Sequence, residues 1–218
     1  MNAKVRHRSS WCALVPALAC LTLLRRVSMR WGASDQEVGA DLPGDELLAH
    51  ADLCVTRAVT IRAAADEVWP WIAQFGQGRG GFYSYDVLEN LIGCDIHSAD
   101  RIVPQWQTIA AGDQVNLAPE IGLTVAQVDP VRSLVLRGGI PSMVMRSSPY
   151  DFTWAFVLSP ASDGTTRLVV RERYTYAHRW AAAVVEPVEL VSFMMTRRMM
   201  QGIRQRSEHK QILGRHGS

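Results

Sequence analysis

Cysteine is sparse and scattered in this chain of 218 residues: Cys12, Cys20, Cys54 and Cys94 form no C-x-x-C pair. That spacing excludes a zinc ribbon and a disulfide framework, and leaves all four as small buried or membrane-embedded hydrophobes. A nucleotide loop is missing too. Gly76-Gln77-Gly78-Arg79-Gly80-Gly81 lacks the lysine followed by serine or threonine that a phosphate cradle needs, and reads as a connection between helices. There is no heptad seam, no internal repeat, and no motif that requires a cofactor or a metal.

A strong charge of either sign is also lacking, with a formal net charge of +2. The near balance hides a division. Residues 1–30 carry six basic residues and no acidic one, 31–178 carry ten basic and 18 acidic, and 179–218 carry seven basic and three acidic. An acidic middle argues against a nucleic-acid groove. The length and the 48% hydrophobic content suit one well-cored domain.

Trp11 to Leu24 carries no charge and is flanked by Lys4, Arg6 and Arg8 on one side and Arg25, Arg26 and Arg30 on the other. As a helix it reaches about 21 Å, short of a hydrocarbon core of about 30 Å. No small-residue cleavage site follows it, because Leu24 runs into Arg25. Residues 1–30 are therefore expected to be a membrane-targeting or anchor segment, giving a membrane-associated protein. The competing expectation is a cytoplasmic protein whose translation starts at Met29.

An acidic lead-in is expected over 31–52, anchored by Leu42, Leu47 and Leu48, and a single domain over 53–213. Val55, Val59 and Ile61 alternate with Thr56, Ala58 and Thr60, which predicts a half-buried strand. A short helix follows from Asp66, with Glu67 in its first turn and Pro70 near its start, and a second runs from Ser84 to Leu91 with Ser84 or Asp86 as its cap. Strands are predicted over 113–118, 122–128, 133–138, 150–158 and 166–176, separated by turn residues such as Asp129-Pro130 and Asp163-Gly164. Tyr150, Phe152, Trp154, Phe156 and Leu158 share one face of the fourth. Tyr174 and Tyr176 share a face of the fifth with Glu172, which needs a partner if buried, while Arg171 and Arg173 are expected to face solvent. A long helix from Pro187 to Leu213 carries Val188, Val191, Met195, Met199 and Ile203 at helical spacing to cover the sheet. The expected fold is α+β: a curved antiparallel sheet wrapped around a long C-terminal helix, with two short helices after the first strand.

The strand-to-helix passage Val59-Thr60-Ile61-Arg62-Ala63-Ala64-Ala65-Asp66-Glu67-Val68-Trp69 resembles the SRPBCC superfamily of START-like, polyketide cyclase/dehydratase-like and lipid-transport-like helix-grip domains. Gly78 to Asp86, Leu88-Glu89-Asn90 and Ile96 to Ile102 look like a bacterial subgroup of it. The resemblance covers about residues 53–208 and implies a helix-grip fold with an internal cavity for an apolar molecule.

Candidate ligand-binding residues are Trp71, Tyr83, Tyr85, Trp106, Phe156, Glu172, Met195 and Met199, because aromatic bodies with polar tips and flexible thioethers suit an apolar guest. His97, Tyr83 and Asp86 are candidate catalytic groups if the protein is an enzyme, provided that they converge. Packing, capping and solvated ion pairs explain the same residues. Three functions stay open. The first is binding or transport of a lipid, isoprenoid or polyketide-like molecule; the second is a cyclase, aromatase or dehydratase; the third is a membrane-tethered interaction domain. The basic N-terminus and the arginines of the last helix, Arg197, Arg198, Arg204 and Arg206, would favour a membrane surface, although those arginines read most simply as a solvated face.

Overall fold

The computed structural model describes residues 22–139 and 148–215. Six strands form one curved antiparallel sheet in the order β1-β6-β5-β4-β3-β2. They are β1 Leu53–Ile61, β2 Gln114–Ala118, β3 Ile121–Asp129, β4 Ser133–Gly138, β5 Tyr150–Pro160 and β6 Thr166–Tyr176. Strands β2 to β6 form a meander, and β1 closes the sheet beside β6. The helices are α1 (22–29), α2 Asp35–Gly39, α3 Ala65–Ala73, α4 Asp86–Leu91 and α5 Ala182–Arg215. This is the helix-grip arrangement, α+β as expected. Most of the apolar stretch Trp11 to Leu24 lies outside the described residues, and no described helix is long and apolar enough to cross a membrane.

The inner face of the sheet follows from strand periodicity. Pairing aligns Phe152 with Tyr174, Trp154 with Glu172, Phe156 with Val170 and Leu136 with Trp154, so the aromatic row of β5 sits between β4 and β6. Against its Phe156 end pack Phe75, 5.1 Å away between ring centroids, and the C-terminal half of α5 through the buried Met199, Met200 and Ile203. Gly202 lets α5 approach the loop at Tyr83 so closely that a Cβ would fall 2.4 Å from the Tyr83 carbonyl.

Four expectations need correction. Arg171 and Arg173 do lie opposite Tyr174, yet they are covered. The acidic lead-in wraps this outer face, and the five Arg171 N–H groups are taken by Thr56 Oγ1, the Asp45 carboxylate and the carbonyls of Glu37, Val38 and Ala40. Strand β1 is consequently buried on both faces.

Pro70 and Pro187 each stand sixth in their helices, because those helices begin earlier than their first strong apolar residue. Each forfeits one backbone bond, which tertiary packing outweighs: Val68, Trp69, Trp71 and Ile72 of α3 are all buried. Helix α4 starts after Tyr85 with no side-chain cap; Ser84 instead bonds Glu89, and Asp86 accepts from Ser98. Arg206, expected to be solvated, is half-buried over the Tyr83 ring at 4.6 Å and donates to the Ala99 carbonyl.

Candidate functional site: a cavity between the sheet and the last helix

The N-terminal half of α5 touches the sheet at Val185, Ser192 and Thr196, and between helix and sheet beside these contacts lies a cavity of about 390 Å³. Its walls are Phe152, Trp154 and Tyr174 from the sheet, and Ser192, Met195 and Thr196 from the helix. The helical residues recur at three- and four-residue steps, which puts them on one face. Ile92 at the end of α4, with Val188 and Val191 of α5, lines the cavity while more than half exposed, so the mouth opens between these two helices. A recess of about 110 Å³ adjoins it, sharing Tyr150, Tyr174, Val188 and Ser192.

Glu172 lies at the polar end, 3% exposed. Its Oε1 accepts from Arg57 Nη1 at 2.8 Å and Thr196 Oγ1 at 3.1 Å, and its Oε2 from Tyr174 OH at 3.1 Å and Ser192 Oγ at 3.2 Å. Four donors fill the carboxylate's capacity, so its role is to hold the end wall together. Arg57 is itself fully buried and also donates to Glu189 at 2.5 Å and the Ser28 carbonyl at 2.9 Å. Ser28 Oγ donates to Glu189, and Arg25 pairs with Glu186 at 2.6 Å, so α1 is tied to the start of α5. Burial, followed by the Glu172 charge, pushes the Tyr174 hydroxyl well above its ordinary pKa and keeps it a donor.

Glu89 is the second carboxyl in the wall, 4% exposed. Ser84 Oγ donates to its Oε1, and its Oε2 has no partner. Burial raises its pKa, the Ser84 bond opposes that in part, and the Asp86 charge adds to it. Cys94, also in the wall, has its thiol raised by burial and by Glu89.

Of the residues singled out from sequence, Glu172, Met195 and Met199 line this cavity. Phe156 is buried in the packed core beside it. Trp71 and Tyr83 are buried and meet edge to face, and the Tyr83 hydroxyl donates to the Trp71 carbonyl at 2.9 Å and accepts from Gln74 at 3.0 Å. Burial drives the Tyr83 pKa up. Tyr85 is surface-exposed, and Trp106 sits half-buried in a 3-10 turn. The His97 side chain is 81% exposed and pairs with Asp95 at 3.2 Å. Tyr83 and Asp86, with Tyr85, Ser98 and Arg206, line one open surface hollow, where Ser98 accepts from the Tyr83 N–H and donates to the Asp86 carboxylate; the His97 side chain lies in solvent and does not join them.

Arg57 was missed. It has the parity of Val55 and Val59, so an arginine on the apolar face of β1 was the visible signal, together with Glu172 on that of β6. Glu89 stands out in sequence only as one of the titratable groups between Tyr83 and Arg101 and reads there as solvated, since its burial and its one open carboxylate oxygen depend on where the 92–98 loop folds. Among the described residues no group of three His, Cys, Asp or Glu side chains is placed to hold a metal ion.

No protein-family model matches this chain, and no curated protein matches it. Solved structures similar to it include protein MLL2253 from Mesorhizobium loti, at 13% identity over 70% of this chain and 98% of that one, with a TM-score of 0.42. CalU16 from Micromonospora echinospora has 16% identity over 72% of this chain and 84% of its own, with a TM-score of 0.35. DynU16, described as a protein in the dynemicin biosynthetic locus, has 16% identity over 69% of this chain and 46% of its own, with a TM-score of 0.38.

Proposed function

We propose that this chain binds a small apolar molecule between its sheet and the N-terminal half of α5, as a START-like carrier of the SRPBCC type. The carrying observation is the cavity itself, about 390 Å³ and walled mainly by aromatic and aliphatic side chains, with a mouth between α4 and α5. That volume lies in the range of small-molecule sites. Val87, Leu88, Leu91, Leu190 and Met194 stand exposed on those two helices. Such an apolar rim favours exchange of the guest with a lipid surface. The enzymatic alternative gains little from the geometry: Tyr83 and Asp86 share an open surface hollow, but the Tyr83 hydroxyl is bonded to Trp71 and Gln74, Asp86 to Ser98, and His97 stands apart in solvent.

Native mass spectrometry with solvent extraction, on the full-length protein and on a chain starting at Met29, tests the reading. A stoichiometric apolar ligand on the full-length protein supports it. A protein that stays empty after incubation with a lipid extract from its own cells contradicts it.

A further inference from the structure

Two carboxyls share the cavity and differ in one respect. Glu172 has four donors, one of them a buried arginine; Glu89 has one hydroxyl donor and no cation. A buried carboxylate without a counter-charge is costly, which favours the neutral acid. The Ser84 hydroxyl occupies Oε1, which places the proton on Oε2, the oxygen without a partner. A neutral carboxylic acid has one O–H to give, and a buried donor left unsatisfied is a cost that a guest's oxygen can remove.

From this we infer that Glu89 is a specificity-determining residue of the cavity, donating a hydrogen bond from Oε2 to a carbonyl oxygen on an otherwise apolar ligand. The inference rests on the proposed ligand-binding function. It narrows the guest from any hydrocarbon to an apolar body carrying a ketone, an ester or a similar acceptor at the Glu89 wall. Met195 and Val191 of α5 and the aromatic row of β5 would hold the body of such a guest by shape.

The test uses two probes of one shape, 2-acetylnaphthalene and 2-isopropenylnaphthalene, which differ only in C=O against C=CH₂. Each is titrated by displacement of 1-aminoanthracene from the full-length protein and from the Glu89→Leu and Glu89→Gln variants. Removing the donor in Glu89→Leu is expected to weaken the ketone about tenfold relative to the alkene, the size of one net hydrogen bond. The amide of Glu89→Gln, itself a donor, should keep most of the preference. In the wild-type protein the carbonyl stretch of bound 2-acetylnaphthalene should lie below its frequency in hexane, which requires no variant to fold. An unchanged ketone-to-alkene ratio in Glu89→Leu, or a carbonyl stretch as in hexane, overturns the assignment while leaving the cavity's function intact. If neither probe displaces 1-aminoanthracene, or the dye itself does not bind, the ligand-binding reading falls and the role of Glu89 falls with it.

Discussion

The guanidinium of Arg57 and the carboxylate of Glu172 meet at 2.8 Å on the inner face of the sheet, with side chains 1% and 4% exposed. They stand on the adjacent strands β1 and β6; Glu172 lines the cavity, and Arg57 behind it joins that wall to Glu189 of the adjoining recess. A buried pair of this kind contributes little net stability, but breaking it strands a charge. Arg57→Met is therefore expected to destabilise the protein by about 3–5 kcal/mol. The double variant Arg57→Met/Glu172→Leu should recover much of that loss. Urea denaturation of both checks the prediction; a double variant no better than the single one would show that Arg57 acts through Glu189 and Ser28 instead.

The lead-in should peel away in acid. The Arg167 guanidinium holds the Glu37 carboxyl down to about 2, against burial, with the Ser34 N–H helping. A lowered carboxylate adds stability above its ordinary range, near 4.5, and that stability is lost as pH falls toward 2. Because the pair is partly screened by solvent, its worth is about 1 kcal/mol. Glu37→Gln should thus destabilise the protein near neutral pH and match the wild type in strong acid. A deficit that does not change with pH would assign the loss to the Ser34 cap.

Glu89 has the opposite sign. Its pKa is raised, so its contribution is fully present below the ordinary carboxylate range and is lost as pH rises through its folded value. Wild-type stability should fall relative to Glu89→Gln, which cannot ionise, as pH rises from the ordinary carboxylate range. Stability curves that stay parallel across that rise would mean that the carboxyl ionises in place without cost.

The comparison of sequence with structure divides along physical lines. The five strands of the meander were legible almost to the residue, because alternation has a period of two and turns such as Asp163-Gly164 punctuate it. The start of α5 was not, since it begins on alanines that carry no amphipathic signal, five residues before Pro187, whereas α3 starts at Ala65, one residue from the expected Asp66. The outer face misled because an arginine next to an apolar stripe normally reads as solvent-facing. Arg171 is instead the post around which 37–45 wraps, a non-local closure with no local trace. Cavity-lining positions were legible where periodicity fixed them, as for Glu172, Met195 and Met199. They were illegible where a loop decides, as for Glu89 and His97.

A guest held in the cavity against the sheet is displaced by filling that space with a side chain. Met195 lines the cavity on α5 without being fully buried, so a larger ring there has room to turn inward at modest cost in folding. Titration of 1-aminoanthracene into the wild-type protein and into Met195→Trp is the measurement. Saturable binding to the wild type with at least about tenfold loss in the folded variant is the predicted result, the loss corresponding to about 1.4 kcal/mol. Equal binding to both would place the dye elsewhere and contradict the account.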